Sequence, residues 1–360
     1  MALVIPVEIC DMVVDHIATV EKDYSLRDIF PYALELSARP ELMSLRLVSR
    51  NYCAAASRQL FKHIVARTDS SSVRGRNPLQ SIVKILRSEY AAHVRHLETG
   101  YNQWSSHYSE TLDHDIQDLS GLLSPCLAQL FDLRVLKVAH DFGYFFPNHS
   151  PPLYIPMEDI LRRLKYLALH VTAYTKKEGQ RYWRTPVLPA HAALPNDLHA
   201  AHLFRLVELV PNLVALRIRS TDVIPFHTIH FSPLLHLTSL CLSRVLVTFD
   251  HFRALTNQCR EHLKHIQLSL VELHSGGTWN AVLTQLTQLP HLVDVSISSC
   301  GYPATGPNAS FAGSLPEPDN PRELETMNFA DYDGLEALRQ HVNANRVALG
   351  LIPFERMDYH

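Results

Sequence analysis

A short apolar motif that returns along most of the chain constrains the fold more than any other feature of this sequence. It approximates apolar-x-x-apolar-x-apolar and occurs as VRHLET, LRVLKV, LKYLAL, LVALRI, LTSLCL, LKHIQL, LVDVSI and LETMNF, beginning at residues 94, 133, 164, 213, 237, 263, 292 and 324. Successive starts are 39, 31, 49, 24, 26, 29 and 32 residues apart. Because side chains alternate across a strand, each copy predicts a short strand with one buried face.

Helical patterns separate several of these strands. The clearest are residues 250–263, with Asp250 as the candidate N-cap, and residues 278–290; shorter ones are 203–211 and 121–131. Their apolar residues recur every three or four positions, as in Phe252, Leu255, Cys259, Leu263, Trp279, Val282, Leu286 and Leu289. Strand and helix in alternation predict an α/β fold, a divergent leucine-rich-repeat solenoid with parallel strands on the concave side and helices outside.

The alternative is an ordinary α/β domain with a doubly wound sheet, which also alternates strands and helices. Two observations favour the solenoid. The last five motifs have nearly constant spacing, and no glycine-rich phosphate turn follows any strand.

The composition indicates a folded protein without a nucleic-acid or membrane partner. Hydrophobic residues make up 46% of the chain, charged residues 19%, and the formal net charge is −3. The apolar N-terminus is interrupted by Glu8, Asp11 and Asp15, which excludes a signal peptide or a membrane span. The 6 cysteines lie far apart. This spacing is typical of reduced thiols, so we expect a cytoplasmic or nuclear location.

The first sixty or so residues contain the helix start and stop signals expected of a small helical bundle. Pro6 suits a first helical turn, and Ile9, Val13 and Ile17 recur on one face of the helix that follows. A capping box at 25–28 predicts a second helix. Pro40 opens a third, which carries Leu42, Leu45 and Val48, and the polar 49–51 segment predicts a turn before an alanine-rich helix. A bundle this small with an uncovered apolar face usually requires a partner.

Within this region IPVEICDMVVDHI (5–17) followed by LMSLRLVSRNYCAAASRQLFKHI (42–64) resembles an F-box. Together with the repeats, the chain looks like fungal proteins that join an F-box to divergent leucine-rich-like repeats. The resemblance implies docking on a Skp-type linker protein, and through it on a cullin–RING ubiquitin ligase, while the repeats bind a protein substrate. The linker-binding residues that it implies are Ile5, Pro6, Glu8, Ile9, Val13, Leu42, Leu45, Val48 and Tyr52.

These inferences divide the chain into four regions: an F-box module at 1–66, a linker helix region at 67–93, a repeat array at 94–330 and a C-terminal cap at 331–360. The expected function is that of a non-catalytic substrate-recognition adaptor of an SCF-type ubiquitin ligase. The alternative is a repeat scaffold or regulatory protein whose N-terminal helices only cap the array.

Residues between the apolar positions of each motif project from the other strand face, where a substrate could bind. The candidates are Lys137, Tyr166, His170, Arg217, Arg219, His265 and Gln267, with Tyr182 and Trp183 in the long 172–197 segment. The cations among them suit an acidic or phosphorylated peptide. A second long segment, 300–321, is rich in proline and glycine.

No pattern in the sequence predicts catalysis, a cofactor or a metal site. The HxxH pairs are His93/His96, His199/His202, His227/His230 and His262/His265, and none has a neighbouring carboxylate or cysteine pair at zinc-site spacing. We expect His96 and His265 to be solvated or to contact a peptide. Phosphate-binding loops and nucleophile motifs are absent from the sequence as well.

Overall fold

The computed structural model describes residues 5–19, 38–68, 83–101, 130, 132–140, 161–171, 207–226, 229–231, 235–274, 276–303, 306–312 and 322–354. It divides into two compact units, residues 1–140 with 144–166 (unit 1) and residues 141–143 with 167–360 (unit 2). Both combine helices with parallel strands. None of the described helices combines the length and the apolar character that crossing a membrane requires.

Unit 1 begins with three helices, α1 (Val7–Thr19), α2 (Ala38–Leu45) and α3 (Arg50–Lys62). Their shared core is formed by Cys10, Val14, Leu42, Tyr52, Ala55, Ala56 and Leu60. The two small alanines of α3 allow α1 to pack closely against it. Ser49 is the N-cap of α3, and its hydroxyl accepts a hydrogen bond from the Tyr52 amide at 3.3 Å. The polar segment predicted as a turn therefore starts a helix, and the turn lies just before it at 46–48.

Three parallel strands follow in unit 1: β1 (His63–Thr68), β2 (His96–Tyr101) and β3 (Val135–His140). The sequence did not predict β1, because LFKHI was read as the continuation of the alanine-rich helix. The structure ends α3 at Lys62, and His63 starts a strand in register with His96. A short 3-10 helix, Glu89–His93, leads into β2.

Apart from the first residue of β4, the remaining elements belong to unit 2. Its strands are β4 (Tyr166–Val171), β5 (Ala215–Pro225), β6 (Ser239–Val247), β7 (His265–Ser269), β8 (Glu272–Leu273), β9 (Asp294–Ser298), β10 (Cys300–Gly301) and β11 (Leu324–Glu325). Its helices are α4 (Phe249–Gln258), α5 (Trp279–Leu286) and α6 (Phe329–Ala348). β5, β6, β7 and β9 pair in sequence order, and every pairing is parallel.

The predicted strands are confirmed at seven motifs, where the strand starts two residues after the motif does. At the eighth, only Leu324–Glu325 is a strand. The apolar residues predicted for α4 and α5 are buried as expected. The N-cap of α4 is Thr248 rather than Asp250, because the Thr248 hydroxyl accepts from the His251 amide. Residues 25–28 lie outside the described residues, as do 121–131 apart from Leu130 and the first part of 203–211.

One backbone contact repeats at the start of successive strands. The carbonyl oxygen of the residue that precedes a strand accepts two backbone amide hydrogen bonds. The donors are the residue just before the next strand and the first residue of that strand. In unit 1 the Arg95 oxygen accepts from Arg134 and Val135 at 2.8 and 3.0 Å. In unit 2 the oxygens of Val214, Thr238 and Lys264 do the same. This α/β architecture with a parallel sheet is compatible with a leucine-rich-repeat-like fold.

Three equivalent positions in unit 2, one within β6 and two just after β7 and β9, are occupied by a left-handed residue. Arg244, Leu270 and Ser299 have φ values of 56, 55 and 52°. Each follows one of the serines that are paired across β6, β7 and β9. At each of these residues the strand bends. Before this residue β6 pairs with β7, and beyond it β6 pairs with β8. Along the chain β8 follows β7 and β10 follows β9, and β8 and β10 pair with each other.

Candidate functional site

The N-terminal helices leave one apolar surface uncovered, which we call the outer apolar face. It consists of Ile5, Ile9, Met12, Val13, Leu47 and Val48, all exposed. Leu47 is 89% exposed and Val48 64% exposed, although both are large aliphatic residues. The Asn51 side chain donates a hydrogen bond to the Ile5 carbonyl oxygen at 3.0 Å, which brings the start of α1 next to the start of α3. Asn51 follows Val48 by three residues, so this contact brings Ile5 to the same end of the bundle as Leu47 and Val48.

Helix α1 has apolar residues on two sides, and only one side enters the core. Cys10 and Val14 are buried against α3, and Ile17 packs at the edge of that core. Ile9 and Val13 lie on the side that faces solvent. The sequence had placed Ile9, Val13 and Ile17 on a single face. The structure separates Ile17 from the other two because α3 contacts the neighbouring side of the helix.

The residues implied as linker contacts fall into two groups. Six of them are exposed: Ile5, Pro6, Glu8, Ile9, Val13 and Val48. Leu42 and Tyr52 are instead buried in the bundle core, and Leu45 packs against it while half-buried. Tyr52 was expected to offer a contact surface. The structure places it inside the bundle, where it fills the space between the helices.

A cation–aromatic contact fastens the bundle to the residues that lead into β2. The Arg46 guanidinium lies 5.6 Å from the ring centroids of both Phe61 and Tyr90, and it donates to the Tyr90 hydroxyl at 3.2 Å. The two rings stack with their centroids 4.2 Å apart. Such contacts hold α2 and α3 in a fixed position against the 3-10 helix.

Unit 2 carries four of the predicted substrate residues on one strand face, which we call the polar sheet face. Its register-paired rows are Ala215, Ser239, His265 and Asp294; Arg217, Cys241, Gln267 and Ser296; and Arg219, Ser243, Ser269 and Ser298. The structure thus brings Arg217, Arg219, His265 and Gln267 onto one surface. His265 is only half-buried, and its Nδ1 lies 3.7 Å from an Asp294 carboxylate oxygen.

The middle row of the polar sheet face is held together by a thiol. Cys241 Sγ donates a hydrogen bond to Gln267 Oε1 at 3.3 Å. Burial raises the pKa of the Cys241 thiol, against the opposing charges of Arg217 and Arg219. The thiol is therefore protonated at neutral pH and acts as a donor that orients Gln267.

The other predicted substrate residues are less well defined. Tyr166 is half-buried at the start of β4. Lys137 lies in β3 and His170 in β4, where the structure fixes their strand positions. Tyr182 and Trp183 lie outside the described residues, as do the whole of 172–197 and half of 300–321.

The sequence analysis missed a row of cations in unit 1, which we call the basic row. Lys62, Arg95, Arg134 and Lys165 each immediately precede a strand, and all four are exposed. Arg95 and Arg134 donate to the carboxylate of Asp132 at 2.8 and 2.9 Å. Burial acts to raise the pKa of Asp132, but these two arginines hold it below its usual range. Alignment of the motifs would have revealed the row, since three of its members occupy the second motif position.

A cavity of about 230 Å³ lies between α1, α3 and the residues before β2. Most of its lining is charged or polar: Asp11, Asp15, Arg58, Gln59, Lys62, His93 and Arg95. Ion pairing of Arg58 with Asp11 and a hydrogen bond from Gln59 to Asp15 join α3 to α1 along one wall. Burial lowers the pKa of His93, and the charge of Arg58 adds to this effect.

One group of side chains in the described part of the chain could hold a metal ion. It contains His63 from β1 with His96 and Glu98 from β2, and its ligand atoms all lie within 4.8 Å of one another. His96 and Glu98 are buried, which corrects the expectation of a solvated His96. A search of the sequence for nearby histidines did not find the group, because His63 and His96 meet only through strand pairing.

Comparison with known proteins gives no family for this chain. No family model matches it, and no curated protein matches it. Among solved structures, it is similar to a leucine-rich repeat protein of Leptospira interrogans at 10% identity, over 74% of this chain and 84% of that chain, with a TM-score of 0.16.

Proposed function

We propose that this chain is a substrate-recognition adaptor of an SCF-type cullin–RING ubiquitin ligase. Helices α1–α3 form an F-box that docks on a Skp-type linker protein, which in turn binds the cullin. The strands form a solenoid of leucine-rich-like repeats that binds a protein substrate. The chain itself is non-catalytic in this proposal, needs no cofactor and acts in the cytoplasm or nucleus.

The outer apolar face is the observation that carries the proposal. The bundle already has a core of its own, yet the six aliphatic or thioether side chains of this face remain exposed. Contiguous exposed apolar surface of this kind is typical of a protein–protein interface. The surface contains Ile5, Ile9, Val13 and Val48, four of the residues that the F-box resemblance assigns to linker binding.

The order of the strands supports the solenoid. In a doubly wound sheet the strand order reverses at a switch point. Here β1, β2 and β3 pair in sequence order within unit 1, and β5, β6, β7 and β9 do so within unit 2. The carbonyl oxygen that accepts two amide hydrogen bonds recurs at successive strands, as expected of a solenoid built from stacked repeats.

The polar sheet face and the basic row are the surfaces to which we assign the substrate. Arg217 and Arg219 present guanidinium groups beside a row of serines on the polar sheet face. The basic row adds four exposed cations in unit 1, of which two are paired with Asp132. Guanidinium groups bind carboxylate and phosphate in a bidentate manner. An acidic or phosphorylated segment of a protein is therefore the proposed substrate feature.

Binding of the full chain to a purified Skp-type linker tests the proposal. The variant Ile9→Asp with Val48→Asp introduces two charges into the outer apolar face. We expect roughly 100-fold weaker binding, since each buried aliphatic side chain contributes about 1.5 kcal/mol or more and 1.4 kcal/mol is tenfold. Leu45 is unsuitable as a test position because it packs against the core.

The matched control is Leu349→Asp with Ile352→Asp. These residues are 66% and 80% exposed and lie in unit 2, so the control adds the same charge to an equally accessible apolar surface. It should bind the linker as the native chain does. Equal affinity of the two double variants, or no linker binding by the native chain, would overturn the proposal.

The alternative function, a repeat scaffold or regulatory protein, is favoured by one observation. Helix α3 runs directly into β1, which pairs with β2, so the bundle and the strands form one compact unit. A repeat array requires capping structures of this kind, which cover the apolar face of its terminal repeats. A native chain that is folded and does not bind the linker would support this alternative.

A further inference from the structure

The geometry points to a divalent transition-metal site, of the kind that binds zinc, formed by His63, His96 and Glu98 in unit 1. His63 and His96 are register partners on β1 and β2, and Glu98 is two residues further along β2 on the same strand face. Two imidazoles and one carboxylate form a ligand set that zinc and iron proteins use, with coordination positions left open. This inference is independent of the proposed function.

The backbone already brings the ligands close to the distances that a metal requires. Adjacent strands lie about 4.8 Å apart, so imidazoles in one register pair are neighbours. The ligand atoms lie within 4.8 Å of one another. In a tetrahedral zinc site, with metal–ligand distances near 2.1 Å, they would lie about 3.4 Å apart. The remaining approach is of the order of 1 Å and needs side-chain rotation only.

The ring arrangement shows which rotation is needed. The two imidazoles are stacked with centroids 3.8 Å apart and planes inclined by 27°. Imidazole nitrogens donate their lone pairs in the ring plane, so two nearly parallel rings cannot both point at one ion. Rotation of one ring about its χ2 torsion, which has broad minima, turns its nitrogen toward the other ring and Glu98. The half-buried His63 has the most room to make this turn.

The surroundings combine burial with a route for entry. Glu98 is 6% exposed and His96 8% exposed, so the carboxylate and one imidazole are removed from water. Val65, the register partner of Glu98, is 47% exposed and lies on the same strand face, which leaves that side open to solvent. A bound ion would join β1 to β2 directly after the end of α3.

The experiment is a Zn²⁺ titration of the full chain, reduced and freed of metal with a chelator. The chain has 22 histidines and 6 cysteines, so differences between variants are measured rather than the total uptake. Glu98→Gln and His63→Asn each remove one ligand. The matched control is His93→Asn, because His93 forms an HxxH pair with His96 in the sequence but is not part of the cluster.

We expect the native chain and His93→Asn to bind one more equivalent of Zn²⁺ than the two ligand variants do. If the site persists in those variants, its affinity should fall by more than about 100-fold, beyond the loss seen for residues that only support a ligand. Co²⁺ in place of Zn²⁺ should give the visible absorption of a low-coordinate site in the native chain. Equal uptake by all four proteins would overturn the inference, and so would loss of the site in His93→Asn.

A readout on the native chain avoids dependence on a buried substitution. Addition of Zn²⁺ should shift the imidazole NMR resonances of His63 and His96 together, at one equivalent or less. The resonance of the half-buried His63 is assigned by its absence from the spectrum of His63→Asn. Unshifted His63 and His96 resonances at saturating Zn²⁺ would contradict the site even if Glu98→Gln failed to fold.

Discussion

Asp331 is a buried acid at the start of α6, and its carboxylate gathers four hydrogen bonds. It accepts from the Asn280 amide at 2.8 Å and from the Tyr302 hydroxyl at 2.9 Å. Thr326 and Asn328 also donate to it, at 2.7 and 3.2 Å. Burial raises the pKa of the Tyr302 phenol, and the charge of Asp331 adds to this, so the phenol stays protonated and donates. A buried charge is tolerated when it is satisfied in this way.

Replacement of this acid should be costly. We expect Asp331→Ala to lower the free energy of unfolding of unit 2 by about 3 kcal/mol or more, because it leaves the Tyr302 hydroxyl and the Asn280 amide buried without their acceptor. Urea denaturation measures the change. Asp333→Ala is the matched control, since Asp333 is exposed on the same helix and its loss should cost no more than about 0.5 kcal/mol. Similar midpoints for both variants would show that the network contributes little.

At the scale of elements, a left-handed residue within β6 and two others directly after β7 and β9 determine how the sheet continues. A left-handed conformation costs a residue with a side chain about 1–2 kcal/mol. It recurs at Arg244, Leu270 and Ser299, at equivalent positions of three strands. The bend it produces lets β8 and β10 pair with each other beyond the bend. Local strain at these positions is offset by the added strand pairing.

The strain predicts a difference between two substitutions at one position. Arg244→Gly and Arg244→Val both remove the arginine side chain and its contacts, so their difference compares how readily glycine and a β-branched residue adopt this backbone conformation. We expect the valine variant to be less stable than the glycine variant by about 1–2 kcal/mol, because glycine adopts positive φ freely and a β-branched residue does not. Thermal or urea unfolding of both variants tests this. Equal stability would mean that the bend relaxes when the residue is changed.

A helix or strand could be predicted when the sequence pattern that specifies it lies within the element itself. The motifs found seven strands because each contains its own alternation of apolar residues. They missed β1, where HIVART follows an alanine-rich helix and becomes a strand by pairing with β2 more than thirty residues away. The cap of α4 was assigned to Asp250, whereas Thr248 takes that role. Asp and Thr are both good caps, and the position of the preceding strand end decides between them.

The candidate sites were predictable only in part, for a similar reason. The sequence identified Ile9 and Val13 as contact residues, and both are exposed. It assigned the same role to Leu42 and Tyr52, which are buried. Which side of a small helix enters a core depends on the helix that it meets, and periodicity alone does not supply that information. The His63–His96–Glu98 cluster required the register of β1, which was missing from the prediction.

For the molecule as a whole, protonation of the histidines determines how the net charge changes near neutral pH. The formal net charge is −3 with histidine neutral, and there are 22 histidines. Since an unperturbed imidazole has a pKa near 6.5, about nine tenths of the histidines should be protonated at pH 5.5, which adds about 20 charges and makes the net charge roughly +17. Electrophoretic mobility should therefore reverse between pH 7.5 and 5.5. A mobility that stays negative at pH 5.5 would mean that most imidazoles are held neutral by the fold.

The carbonyl oxygen that accepts two backbone amides at the start of several successive strands has an evolutionary consequence. It aligns each of these strands with the next at a single point, so the alignment is set afresh at every strand that has this contact. Sequence inserted between two such points changes the excursion of the chain without displacing any later strand. Motif spacings as different as 24 and 39 residues therefore coexist between strands that share this contact. Longer connections can be acquired by insertion while the strands on either side keep their pairing.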